Sequence, residues 1–214
     1  MKKGLKVLTA LFLVFMLTLF MSSCKKENPE PAEDVKEEKT LDAKDIIPLE
    51  EGNYWKYAGY GNEYAPFEQK VLFRRGGRVQ LQMANGGTVM GLIYEIKEDR
   101  VQVVYSIEEF YDETDILGRE NNMEKVILRS PLKEGMSWNS DNLTYVVDSL
   151  TEIVETPAGT FEECLKISVY NPSLEEKYIE VYYKPGLGMI KQIFLNEDEE
   201  IVNVLESYEL KTAG

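Results

Sequence analysis

Between residues 46 and 210 the chain alternates apolar and polar positions with a period of two. Val79, Leu81 and Met83 alternate with Arg78, Gln80 and Gln82, and Val101, Val103, Tyr105 and Ile107 with Gln102, Val104 and Ser106. The same pattern sets Leu143, Tyr145 and Val147 against Thr144, Val146 and Asp148, and Ile179, Val181 and Tyr183 against Tyr178, Glu180 and Tyr182. Successive side chains of a strand point to opposite faces, so the pattern predicts antiparallel strands with one face on a core and one on water. Turn signals at Gly76-Gly77, Asn85-Gly86-Gly87, Glu98-Asp99, Ala158-Gly159, Asn171-Pro172, Pro185-Gly186 and Asn196-Glu197-Asp198 divide the segment into roughly ten to twelve strands. Alternation breaks at Glu108-Glu109-Phe110-Tyr111, which predicts one short helix near residues 107–117. About 165 residues suffice for one domain with a sizeable core. The expected fold is mainly β: a single curved antiparallel sheet or half-barrel.

An internal repeat adds to this. Pro48-Leu49-Glu50-Glu51-Gly52-Asn53-Tyr54-Trp55 returns 83 residues later as Pro131-Leu132-Lys133-Glu134-Gly135-Met136-Ser137-Trp138. The shared pattern P-L-x-E-G-x-x-W contains both tryptophans of the chain. It predicts a tight turn at each glycine, followed by a strand whose tryptophan docks into the core. Two readings stand side by side: a duplication with halves 46–130 and 131–214, and two local turns that converged on one solution.

The N-terminus follows a different rule. Lys2, Lys3 and Lys6 flank an apolar run from Val7 to Met21, and Ser22 and Ser23 lead to Cys24. A basic start, an apolar stretch of about fifteen residues and small residues before a cleavage point make a secretory signal. As a membrane-spanning helix the run would reach only about 22 Å, short of the roughly 30 Å hydrocarbon core, and a retained anchor is the competing reading. Ser-Ser-Cys resembles the bacterial lipobox, with Met21 where leucine is usual; the resemblance implies cleavage before Cys24 and acylation of that cysteine. The chain then divides into a signal peptide (1–23), an acidic disordered tether (24–45) and a β domain (46–214). The tether is charged, contains Pro29 and Pro31 and has almost no large apolar residue, so it cannot offset the entropy of ordering. The expected location is the extracytoplasmic face of the cell membrane, held by lipid.

Charge and missing residue types narrow the chemistry. Without residues 1–23 the chain keeps 21 basic against 38 acidic residues, a net charge of −17. Such a chain is repelled by phosphate backbones, so no nucleic-acid partner is expected. There is no histidine, which excludes Ser–His–Asp and Cys–His nucleophiles and the commonest ligand of zinc, haem and copper. With Cys24 acylated, Cys164 has no partner for a disulfide, and it is expected to be an inert thiol under a neighbouring strand or loop. No cofactor is expected.

Three segments carry a wider resemblance. Pro48–Tyr57 (PLEEGNYWKY), Thr156–Ile167 (TPAGTFEECLKI) and Tyr182–Lys191 (YYKPGLGMIK) resemble the recurring motifs of a broad set of poorly characterised exported bacterial lipoproteins, whose first strand opens on PLxxGNxWxY. The resemblance implies a curved antiparallel sheet, similar to the half-barrels of lipoprotein-carrier proteins, and brings no catalytic residue with it.

Function is therefore expected from binding rather than catalysis: a non-enzymatic binding or scaffold module for a hydrophobic ligand, a glycan or an envelope protein. Tyr54, Tyr57, Tyr60 and Tyr64, close to Trp55, are candidates for an aromatic binding surface. The alternatives are a carboxylate-dependent cell-wall glycosidase, which needs only a pair of acids, and a calcium site at Asp112-Glu113-Thr114-Asp115 or Asn196–Glu200, neither with EF-hand spacing.

Overall fold

The computed structural model describes residues 38–173, 176–195 and 200–211. The signal segment, Cys24 and the tether up to residue 37 lie outside the described residues, as do residues 196–199 of the second calcium candidate. The folded unit starts at Glu38, earlier than the tether boundary expected at residue 45. Leu41 pairs with Leu132, its N–H donating at 2.9 Å and its carbonyl accepting at 2.8 Å. A 3-10 turn at Ala43–Asp45 then buries Ala43 and Ile46 completely. Leu41 and Ala43 are too few to mark an element by periodicity, which is why composition alone assigned them to the tether.

Twelve strands among the described residues form one sheet. In the first half they are β1 (Tyr54–Tyr60), β2 (Phe67–Arg75), β3 (Arg78–Asn85), β4 (Val89–Ile96), β5 (Arg100–Ile107) and β6 (Lys125–Arg129). The second half holds β7 (Ser137–Ser140), β8 (Leu143–Thr156), β9 (Gly159–Asn171), β10 (Glu176–Lys184), β11 (Gly188–Leu195) and β12 (Glu200–Glu209). Each half is an antiparallel meander, and the two are joined where β1 pairs with β12. The spatial order β6-β5-β4-β3-β2-β1-β12-β11-β10-β9-β8-β7 leaves β6 and β7, consecutive in the chain, as the two edges. The sheet curls until it nearly closes into a barrel, so the expected curved antiparallel sheet is found.

The seam between the edges is bridged by side chains. Trp138 Nε1 donates to the Val126 carbonyl at 3.1 Å, and Ser140 Oγ accepts the Val126 N–H at 2.7 Å. Inward positions carry the main core, including Trp55, Val71, Leu81, Trp138, Val147, Leu165 and Ile167. Outward positions carry ion pairs such as Lys56–Glu206 at 3.1 Å and Lys166–Glu180 at 3.2 Å. An apolar interior with a charged exterior is the reverse of a barrel made for lipid.

The repeat is structural as well as textual. Gly52 and Gly135 both adopt positive φ (84° and 78°), a conformation that disfavours side chains. Each turn closes with a backbone bond, Asn53 N–H to Glu50 O and Met136 N–H to Lys133 O. Gly52 N–H donates to Val71 O and Val71 N–H to Asn53 O; Gly135 N–H donates to Val147 O and Val147 N–H to Met136 O. The shared glutamate accepts the backbone N–H three residues further along the neighbouring strand, Glu51 from Arg74 and Glu134 from Leu150. Leu49 and Leu132 are buried, and so are Trp55 and Trp138. The leucine, glutamate and glycine have the same surroundings in both copies, whereas Trp55 Nε1 donates to Leu187 O and Trp138 Nε1 to Val126 O.

Residues 107–117 form no helix. The connection between β5 and β6 is an irregular strap, residues 108–124, laid over the outer face of β3, β4 and β5. Phe110, Ile116 and Leu117 pack on Ile93 and Val104 as a second core cluster. Gly91 makes room, since a Cβ there would lie 2.7 Å from the Phe110 ring. Gln80, fully buried, clamps the strap by donating to Thr114 O at 2.7 Å and accepting from Ile116 N at 2.8 Å. The outer faces of β3 and β5 are thus covered where alternation predicts water. Phe110, Ile116 and Leu117 lack helical spacing and bury their surface by draping.

Candidate functional site

Two adjoining cavities, of about 180 Å³ and about 80 Å³, lie inside the curved sheet and share Ile127, Val181, Tyr183 and Gln192 as walls. Both halves of the repeat contribute. The larger space is bordered by Trp55, Tyr57, Gln69 and Tyr94 from the first half and by Tyr183 and Gln192 from the second. Leu81, Met83 and Val181 supply apolar wall. Tyr145 borders the smaller space, as does Lys125 on edge strand β6.

Strand register explains the placement. Gln69 on β2 stands opposite Trp55 on one side and Met83 on the other. Gln192 on β11 stands opposite Val181 of β10, and Met189 opposite Tyr183. In the second half Tyr145 stands opposite Trp138, with the rings stacked at 5.2 Å, and so takes the place that Gln69 takes against Trp55. Tyr57 stacks on Phe67 at 4.4 Å.

Four phenols, Tyr57, Tyr94, Tyr145 and Tyr183, converge here. Burial pushes the Tyr57 hydroxyl well above the usual tyrosine range, and the neighbouring Tyr94 and Tyr183 push it further. Burial also raises Tyr94, opposed by a hydrogen bond from Gln69. Tyr145 is pushed up to about 12 by burial and then by Asp141. Tyr183 is raised by burial, with Tyr94 and Tyr145 adding to it. All four are therefore neutral hydrogen-bonding groups at physiological pH. Tyr57 donates to Met189 O at 3.0 Å, and Trp55 Nε1 to Leu187 O at 2.8 Å. The Tyr183 ring borders both cavities, beside Gln192. The arrangement offers a ring-lined space with a few uncharged donors and acceptors, and no carboxylate among the described residues borders either cavity.

The four tyrosines proposed as one aromatic surface are not brought together. Tyr57 is 2% exposed and points into the sheet. Tyr54 lies on the outer face beside Glu68, where burial and that carboxylate push it up to about 12. Tyr60 and Tyr64 are exposed at the β1–β2 connection, Tyr60 on an open depression shared with Lys56 and Glu206. Tyr54 and Tyr60 are six strand residues apart, about 20 Å. Proximity in sequence concealed a change of face at each step.

Tyr94, Tyr145, Tyr183, Gln69 and Gln192 were missed as site residues. A signal for them existed: polar atoms at positions where alternation demands an apolar side chain. Tyr145 and Tyr183 were read as inward-facing, but their convergence depends on how the strands curl.

The remaining candidates have structural surroundings. Glu113 pairs with Lys70 at 2.9 Å, and Asp115 with Arg75 at 2.6 Å, so these acids tie the strap to β2. Cys164 is fully buried in the main core beside a bulge where Glu163 takes positive φ. Burial raises its thiol, Lys184 opposes that, and Glu152 adds to it.

No family model matches the chain. No curated protein matches it either. Among solved structures, a protein from Bacteroides fragilis described as exported, with a YmcC-like fold, is 14% identical with a TM-score of 0.48 over 77% of this chain and 99% of its own. A protein from Parabacteroides distasonis described as a lipoprotein is 16% identical with a TM-score of 0.46 over 79% of this chain and all of its own. At these values neither carries an argument about function, which rests on this chain's own residues.

Proposed function

We propose that the protein is an exported lipoprotein, acylated at Cys24 and held at the extracytoplasmic face of the cell membrane, whose domain is a non-enzymatic binding module with its ligand inside the curved sheet. One observation carries the binding half of this reading: both repeats send aromatic and amide side chains to one space inside the sheet. Ligand sites are typically such clefts, mostly apolar with a few placed polar groups. A carboxylate-dependent glycosidase finds no support in that space, because no acid borders it. The cavities are also below the roughly 300–1,000 Å³ of drug-sized sites, so the hydrophobic ligand first expected must be small.

The address rests on the basic start, the apolar run and Ser22-Ser23-Cys24. Cys24→Ala is expected to block processing and release the chain from the membrane fraction; unchanged processing and sedimentation would refute the anchor. For the domain, a turnover assay on cell-wall glycans beside a ligand-binding screen is expected to show saturable binding without product. Cleavage lost on replacing one Asp or Glu would make it an enzyme.

A further inference from the structure

Resting on the binding reading, we infer that the inner cavity is a site for a small, neutral ring compound bearing one hydrogen-bonding substituent, of the phenol class, and not for an acyl chain or an anion. Size comes first. An apolar cavity of about 150 Å³ holds a single benzene ring, and the larger space here is about 180 Å³. A long acyl chain needs a continuous tunnel, whereas the second space adds only about 80 Å³.

Chemistry sets the rest. The walls combine Leu81, Met83 and Val181 with the rings of Trp55, Tyr57 and Tyr94, which suits offset or edge-on packing of another ring. Yet a purely apolar guest would offer no hydrogen-bond partner to the Tyr183 hydroxyl or the Gln192 amide, which border the cavity. A guest with one hydroxyl supplies one. Tyr183 and Gln192 border both spaces, so the substituent belongs where they join. No charged side chain borders the larger space, and Lys125 reaches only the smaller one. A buried anion would therefore lose its hydration without gaining a partner.

The test uses the chain from residue 24, with calorimetry and protein-detected NMR. The probes are p-cresol, toluene, 4-hydroxybenzoate and dodecanoate. Saturable p-cresol binding is expected, at least ten-fold tighter than 4-hydroxybenzoate, with resonance shifts centred on Tyr94, Tyr183 and Gln192. Tyr183→Phe is expected to weaken p-cresol by about three- to ten-fold, the worth of one hydrogen bond, and to tighten toluene, which then strands no hydroxyl. Gln192→Met provides a second variant if the first unfolds. Equal weakening of toluene and p-cresol would overturn the assigned hydrogen bond. Preferential binding of dodecanoate or 4-hydroxybenzoate, with the same shifted resonances, would overturn the ligand class while keeping the binding module. Shifts confined to Tyr60 and Tyr64 would overturn the site, and binding of none of the probes would overturn the phenol class.

Discussion

At the scale of single residues, the interior tyrosines are the most testable feature. Tyr57, Tyr94, Tyr145 and Tyr183 are all raised, chiefly by burial. In the unfolded chain tyrosine ionises near 10. A raised folded-state value means that the folded chain keeps protons the unfolded chain has lost, so stability is complete below about pH 10 and falls as pH rises through the folded values. For Tyr145 that window runs from about 10 to about 12. An alkaline titration followed by phenolate absorbance should thus show a late group of tyrosines that ionises only with loss of the near-ultraviolet dichroism of the core. A single smooth titration near pH 10 with the fold intact would contradict their burial.

At the scale of elements, one buried side chain clamps the middle of the strap. Gln80 supplies both a donor and an acceptor to residues 114 and 116, and strand alternation alone would have placed it in water. Gln80→Leu leaves those backbone groups without partners and is expected to cost about 1–3 kcal/mol. Limited proteolysis should then cut within residues 108–122 while far-ultraviolet dichroism stays β. If the variant resists protease like the parent, Phe110 and its neighbours hold the strap unaided. The predicted helix failed here for a related reason. Loss of the period-two pattern was read as a gain of helical period, yet Phe110, Ile116 and Leu117 pack individually on a sheet face.

At the scale of the molecule, the two halves imply a distinction between two junctions. β1 and β12 share an antiparallel ladder, with one register shift between Lys56 and Tyr57, whereas β6 and β7, which occupy the corresponding junction on the other side, meet through Trp138 and Ser140 side chains. Backbone ladders open only with larger units, so the side-chain seam should open first. Hydrogen exchange is expected to be faster in β6 and β7 than in β1 and β12. Ser140→Ala should speed exchange of the Val126 amide by about ten-fold, since it removes that group's acceptor. Equal protection at both junctions would show that the sheet is closed in solution. Ile127 and Lys125 on β6 border the inner cavities, so the seam lies beside them.

The sequence by itself determined the β class, the approximate number of strands, the turns and the repeated P-L-x-E-G-x-x-W units. Each depends on spacing within a few residues: the two-residue period of strands, the backbone freedom of Gly52 and Gly135, and the anchoring of Trp55 and Trp138. The export signal, likewise local, was legible but lies outside the described residues. Tertiary structure decided which strands are neighbours around the curl, and so which inward residues meet. Nothing local distinguishes Tyr94 and Tyr183 from ordinary core tyrosines. They share a cavity with Tyr57 and Gln69 because β1 pairs with β12 and closes the sheet, contacts spanning more than a hundred residues of chain. The start of the domain and the covering of β3 and β5 were hidden for the same reason. Burial of Leu41, Ala43 and Gln80 depends on segments far from them in sequence, and a window that reads periodicity cannot contain both partners.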